Sequence, residues 1–242
     1  MQPASALYTQ PPKASQDDIT INIHETVDGK KPMSRYVSDV LYLVNQQLAL
    51  TTFISLIMYM NQKTVINVLT NFPGISWLPF LGTLGFLIGL HYNKDQDTRK
   101  ICFWGFTICI SLTLGVTLLG YSPDIIIKAV ISTFCVVIGI YYYAKDAAEK
   151  GKDFSNMGPA LLGCLIGLII VSILQLFIQS NTLGFLITVA GIFIFIGLLM
   201  FDLNRLYHEK YNEDPMDAAI NIYLDIINLF LYILKFLDGD RE

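Results

Sequence analysis

Two aspartates stand where aspartates are costly. Asp225 lies in Tyr223-Leu224-Asp225-Ile226-Ile227-Asn228-Leu229-Phe230, near the middle of an apolar run from Met216 to Leu237. Asp202 closes the preceding run, in Leu199-Met200-Phe201-Asp202-Leu203-Asn204-Arg205. About 20 apolar residues cross a hydrocarbon core of about 30 Å, and an ionised carboxylate inside it costs about 2.5–3.5 kcal/mol on insertion scales. On a helix, Asp217, Asn221, Asp225 and Asn228 fall at i, i+4, i+8 and i+11 and form one polar stripe, which should face protein or water. A short loop joins the two runs, so the helices are antiparallel neighbours and bring Asp202 and Asp225 close. Two carboxylates in a low-dielectric site cannot both ionise cheaply, so they titrate in coupled steps. Their oxygens are also hard ligands for a passing calcium ion. The inert alternatives are Asp202 paired with Arg205 and Asp225 satisfied by Asn228 or by hydroxyls.

The elements that must position these groups are membrane spans. The chain is 53% hydrophobic and 15% charged, with a mean hydropathy of +0.51. Predominantly apolar runs cover about Leu41–Met60, Ile75–Tyr92, Ile101–Gly120, Ile125–Ala144, Pro159–Ile178, Leu183–Phe201 and Met216–Leu237. They predict an all-α, seven-span bundle over residues 36–238 behind a mobile polar tail, 1–35, that does not read as a signal peptide. Asn45, Gln46 and Gln47 interrupt the first run and must face other helices. Lys94, Arg99 and Lys100, then Lys145, Lys150 and Lys152, then Arg205 and Lys210, share a side with Lys30, Lys31 and Arg35. The other side has little beyond Lys63, Lys128 and Arg241, which predicts a cytosolic N-terminus. A net charge of −4 excludes nucleic acid as a partner. Cys102, Cys109, Cys135 and Cys164 lie inside apolar runs without CxxC spacing and read as small core residues. Gly85/Gly89 and Gly163/Gly167 have the spacing of close helix packing, and His208 reads as a solvated loop residue.

Asp202-Leu203-Asn204, followed by a short polar loop, Asp217, Ala219 and the Tyr223–Phe230 stretch, resembles the end of the Bax inhibitor-1, or transmembrane Bax inhibitor motif, family, with details similar to its bacterial members. Ala129, Thr133-Phe134, Asp153-Phe154, Met157-Gly158 and Gly191-Ile192-Phe193 extend the likeness upstream, although Gly105 and Gly115 appear without the family's Gly-Pro. The resemblance implies three helix pairs around a central seventh helix and a pH-sensitive calcium leak. In it Asp202 and Asp225 would share a proton as sensor and meet the ion transiently, with Asn221, Asn228 and Asp217 in support. A basic latch is implied too, for which Lys94, Arg99 and Arg205 are the candidates. Calcium would be the permeant ion, with no cofactor; the partners are the bilayer and other membrane proteins, and the membrane a bacterial inner membrane rather than endoplasmic reticulum or Golgi. A second reading is a regulator that binds membrane proteases or cell-death regulators. A third, an intramembrane aspartyl protease, lacks Gly-x-Gly before Asp225 and a later Pro-Ala-Leu helix.

Overall fold

The computed structural model describes residues 33–208 and 214–239. The expected tail lies outside the described residues up to position 32, as do Lys30, Lys31, Lys210 and Arg241. Among the described residues, eight α-helices follow in order: α1 (Met33–Met60), α2 (Gln62–Asn71), α3 (Trp77–Tyr92), α4 (Gln96–Leu118), α5 (Pro123–Glu149), α6 (Gly158–Ile178), α7 (Asn181–Arg205) and α8 (Pro215–Asp238). Short 3₁₀ turns, Pro73–Ser76 and Ser155–Met157, lead into α3 and α6. All but α2 take part in seven segments long and apolar enough to cross a membrane.

Burial decides which helix is central. Half of the apolar window of α8 is buried, against 6% for the spans containing α3 and α6. α8 packs on α1, α5 and α7, while α3 packs on α4, α4 on α1, and α6 on α7. The outer surface is apolar, with Phe134, Phe177 and Phe193 exposed as lipid requires. Helix α1 begins eight residues before the first apolar run because Tyr36, Val37, Val40 and Val44 continue its buried face into a stretch of mixed hydropathy. Residues 33–35 are therefore helix rather than tail. Helix α2 was not expected; it is too short to span and buries none of its residues.

The helix ends are set by local chemistry. Asp95 caps α4, accepting from the Thr98 backbone N–H at 2.9 Å and from the Thr98 hydroxyl at 2.7 Å. Gly151, at φ 74°, turns the chain after α5 in the left-handed region where a side chain is strained. Asp214 caps α8 by accepting from the Met216 N–H at 2.9 Å, with Pro215 in the first turn, and so fixes the start of the helix that carries Asp225.

Candidate functional site

The register of α8 places Asp225 ten residues, or about 15 Å, below its first residue. Asp202 lies three residues before the end of α7, whose chain returns in the opposite direction. The two side chains meet: the carboxyl groups of Asp225 and Asp202 are in hydrogen-bonding contact. Two carboxylates offer each other only acceptors, so a hydrogen bond joins them only while one of them carries a proton. Asp225 is 6% exposed, and its Oδ2 has no hydrogen-bond partner. Asn228 does not supply one: the bond its Nδ2 makes is to the Leu224 carbonyl at 2.8 Å.

Both carboxylates line a cleft of about 700 Å³ between α6, α7 and α8. Leu165, Leu168, Ile169, Ile173 and Leu176 make its α6 wall, interrupted by Ser172. The opposite wall carries Asn221, Leu224, Asp225, Asn228 and Tyr232. Close packing around α7 shapes it. A Cβ on Gly191 would lie 2.5 Å from the Tyr232 ring, and one on Gly197 would lie 2.8 Å from Leu161. The Tyr232 ring stacks on Phe195 with centroids 5.6 Å apart. Asn221 is exposed and Asn228 half-buried, and both line the cleft together with Asp225.

Asp217 departs from that stripe. Its two carboxylate oxygens accept from Arg99 Nη2 at 3.0 Å each, and Asp214 lies 3.4 Å from the same nitrogen. Arg99 Nη1 donates to the Leu90 carbonyl at 2.8 Å. Arg99 thus ties the start of α8 to the α3–α4 corner. It latches Asp214 and Asp217 and not the Asp202/Asp225 pair, because it sits one residue row from the start of α4, level with the start of α8. Of the other basic candidates, Lys94 is exposed beyond α3 and Arg205 is half-buried at the end of α7. Among the described residues, no group of three or more His, Cys, Asp or Glu side chains is placed to hold a metal ion. The pair alone falls well short of the 6–8 oxygens of a resident calcium site.

Residues 33–242 match the family model described as "Inhibitor of apoptosis-promoting Bax1". The chain belongs to this family. It is similar to a BI1-like protein of Arabidopsis thaliana, 35% identical over 85% of this chain and 81% of the relative. It is also similar to Protein lifeguard 4 of Mus musculus, 28% identical over 84% of each chain. The Golgi anti-apoptotic protein of Vaccinia virus (strain Lister) is 30% identical over 70% of this chain and 71% of its own. These relatives are eukaryotic or viral, which corrects the expected likeness to bacterial members and overturns the bacterial inner membrane. The motif on α8 records helix packing and a buried carboxylate, demands that any bilayer makes, so it carries no mark of the membrane's source. Family identity also sets the aspartyl protease reading aside, since this is a family of non-catalytic membrane proteins.

On the opposite side of α8, this family member carries a second polar seam that sequence patterning only half exposed. Thr51 Oγ1 and the Tyr223 hydroxyl are 2.8 Å apart, and Ser111 Oγ donates to Thr51 Oγ1 at 2.9 Å. Gln47 Nε2 donates to Thr107 Oγ1 at 2.9 Å. The expected inward turn of the amides in α1 therefore holds for Gln47, which is fully buried. Asn204 is a further residue whose role the sequence did not disclose. Its Oδ1 accepts from the Phe154 N–H at 3.0 Å and its Nδ2 donates to the Lys152 carbonyl at 3.1 Å, pinning the loop after Gly151 against α7. Its place two residues after Asp202 was the available signal. His208 Nε2 lies 3.4 Å from the same Lys152 carbonyl. Of the cysteines, Cys102 is buried and Cys109 half-buried, while Cys135 and Cys164 are exposed on the outer surface rather than in the core. Of the paired glycines, Gly89 packs on the Cys102 sulfur, whereas Gly85, Gly163 and Gly167 face open space.

Proposed function

We propose that this chain forms a pH-sensitive calcium leak in an endomembrane, Golgi or endoplasmic reticulum, with its N-terminus cytosolic. In this reading Asp202 and Asp225 share one proton and act as the sensor. The observation that carries the reading is the contact between the two carboxyls beside a partnerless buried oxygen of Asp225, in a cleft of a seven-span bundle. Loss of the shared proton places two like charges at hydrogen-bonding distance in a poorly solvated site, and the repulsion separates α7 from α8. Either carboxylate then offers oxygen ligands to a calcium ion in transit, with the Asn221 and Asn228 amides alongside. The titratable groups lining the cleft are Asp202, Asp225 and Tyr232; α6 contributes only the Ser172 hydroxyl. Arg99, Asp214 and Asp217 sit nearer the start of α8.

The test is calcium flux into liposomes containing the pure protein, measured across pH. Asp202→Asn and Asp225→Asn should each flatten the pH response, and the double variant should differ little from either, because removal of one carboxyl already destroys the coupled titration. Asp97→Asn is the control, at an exposed position paired only with Lys100 on the surface. A pH response that survives Asp225→Asn refutes the sensor. The regulatory reading draws on the anti-apoptotic names of the relatives. A flat, protein-independent flux together with protection of cells from death stimuli would favour it.

A further inference from the structure

The cleft has two unlike walls, and the difference specifies a ligand. Along α6, from Leu165 to Leu176, eleven helical rises give an apolar track of about 16 Å. Facing it is Asp225, nine-tenths buried with Oδ2 unpartnered, and Asp202 is in contact with it. A buried acceptor left without a donor is costly, and Asp225 is one of the residues that line the cleft. This argument rests on the proton-sharing reading of the pair, because two carboxyls with one proton between them keep a single negative charge.

We propose that the cleft binds a single-chain lipid bearing one primary ammonium group, with the ammonium at Asp225 and Asp202 and the alkyl chain along α6. One negative charge matches one ammonium. Its three N–H donors fit Asp225 Oδ2, a second carboxylate oxygen and the Asn221 amide oxygen. An alcohol of the same length would leave the charge uncompensated, and a fatty acid would add a second. The source is the bilayer. α6 packs on α7 rather than on the central helix, and its flank is exposed and apolar at Ile166, Ile170 and Phe177, so the chain enters sideways from lipid. A cleft of about 700 Å³ is within the range of about 300–1,000 Å³ for small-molecule sites.

The experiment uses the full chain in phosphatidylcholine vesicles with a tetradecylamine carrying a diazirine near its methyl end. After photolysis, labelled peptides are mapped by mass spectrometry. Adducts are expected on α6 near Ile173 and Leu176, competed by plain tetradecylamine at least about tenfold better than by tetradecanol or tetradecanoic acid. Asp225→Asn should lower labelling about tenfold. Ser172→Trp, which fills the cleft and keeps both carboxyls, should abolish it. Equal competition by the alcohol, or full labelling of Asp225→Asn, overturns the proposal and leaves a groove filled by bulk lipid. Flux and labelling fail separately: Asp225-dependent labelling beside a pH-insensitive flux removes the leak alone, and the reverse removes the ligand alone. An infrared carboxyl band at neutral pH that Asp225→Asn removes tests the shared proton independently of both.

Discussion

Replacing Arg99 with Gln keeps a polar side chain at the α3–α4 corner but removes the charge and the Nη2 that both Asp217 oxygens share. The guanidinium makes two contacts of 3.0 Å to Asp217 and one of 3.4 Å to Asp214, and its side chain is 10% exposed. Charge-assisted hydrogen bonds contribute about 1.5–3 kcal/mol each when desolvated. The acceptor side chains, however, are 40% and 24% exposed, so water competes for them. The whole latch should therefore contribute about 2–3 kcal/mol, or about 30- to 150-fold in the equilibrium between docked and released α8. Arg99→Lys should recover part of this, because one ammonium nitrogen can face Asp217 but cannot also reach the Leu90 carbonyl that Arg99 Nη1 holds. The assay is a double-mutant cycle by SDS-titrated unfolding in mixed micelles. Arg99→Gln with Asp217→Asn should show a coupling of at least about 1 kcal/mol. Arg99→Gln with Asp225→Asn should be additive to within about 0.5 kcal/mol, since eight residues of helix, about 12 Å, separate Asp217 from Asp225. Coupling to Asp225 that exceeds coupling to Asp217 would place Arg99 on the aspartate pair and refute the reasoning.

Tyr223→Phe removes one hydroxyl from the seam with Thr51 and should cost about 0.6–1 kcal/mol of stability in the same unfolding assay, with the pH response of the proposed leak retained. Gly191→Val forces the Tyr232 ring out of its stack on Phe195; overpacking of this kind costs about 1–3 kcal/mol, and a crystal structure of the variant should show the ring displaced into the cleft. Hydrogen bonds from Thr98 hold the Asp95 carboxyl below its ordinary 3.8, so its capping contribution is present above that pH and is lost as pH falls through the lower folded value. The stability of Asp95→Asn should accordingly fall less than that of the parent over that acid range, measured by thermal unfolding at stepped pH.

Much of this protein is written in its hydropathy. A bilayer leaves the backbone no partner but its own helix, so seven apolar runs of sufficient length dictate seven helices whatever their neighbours. The i, i+4, i+7 spacing of Asn221, Asp225 and Asn228 likewise determines one face of α8. Partners are another matter. Arg99 was one of three basic candidates by proximity in sequence, and its choice of Asp217 follows from where the start of α4 meets the start of α8, which no local pattern encodes. The start of α1 at Met33 needed the packing of Tyr36 and Val40, because a helix end of mixed hydropathy is stabilised by tertiary burial and not by lipid. Asn204, Thr51 and Ser111 are ordinary polar residues until neighbouring helices remove their water. Cys135 and Cys164 show the converse, since apolar runs do not distinguish a side chain facing lipid from one facing protein. The contact of Asp202 with Asp225 depends on both levels: sequence supplied two carboxylates at neighbouring depths, and only the packing of α7 against α8 turned their side chains toward each other.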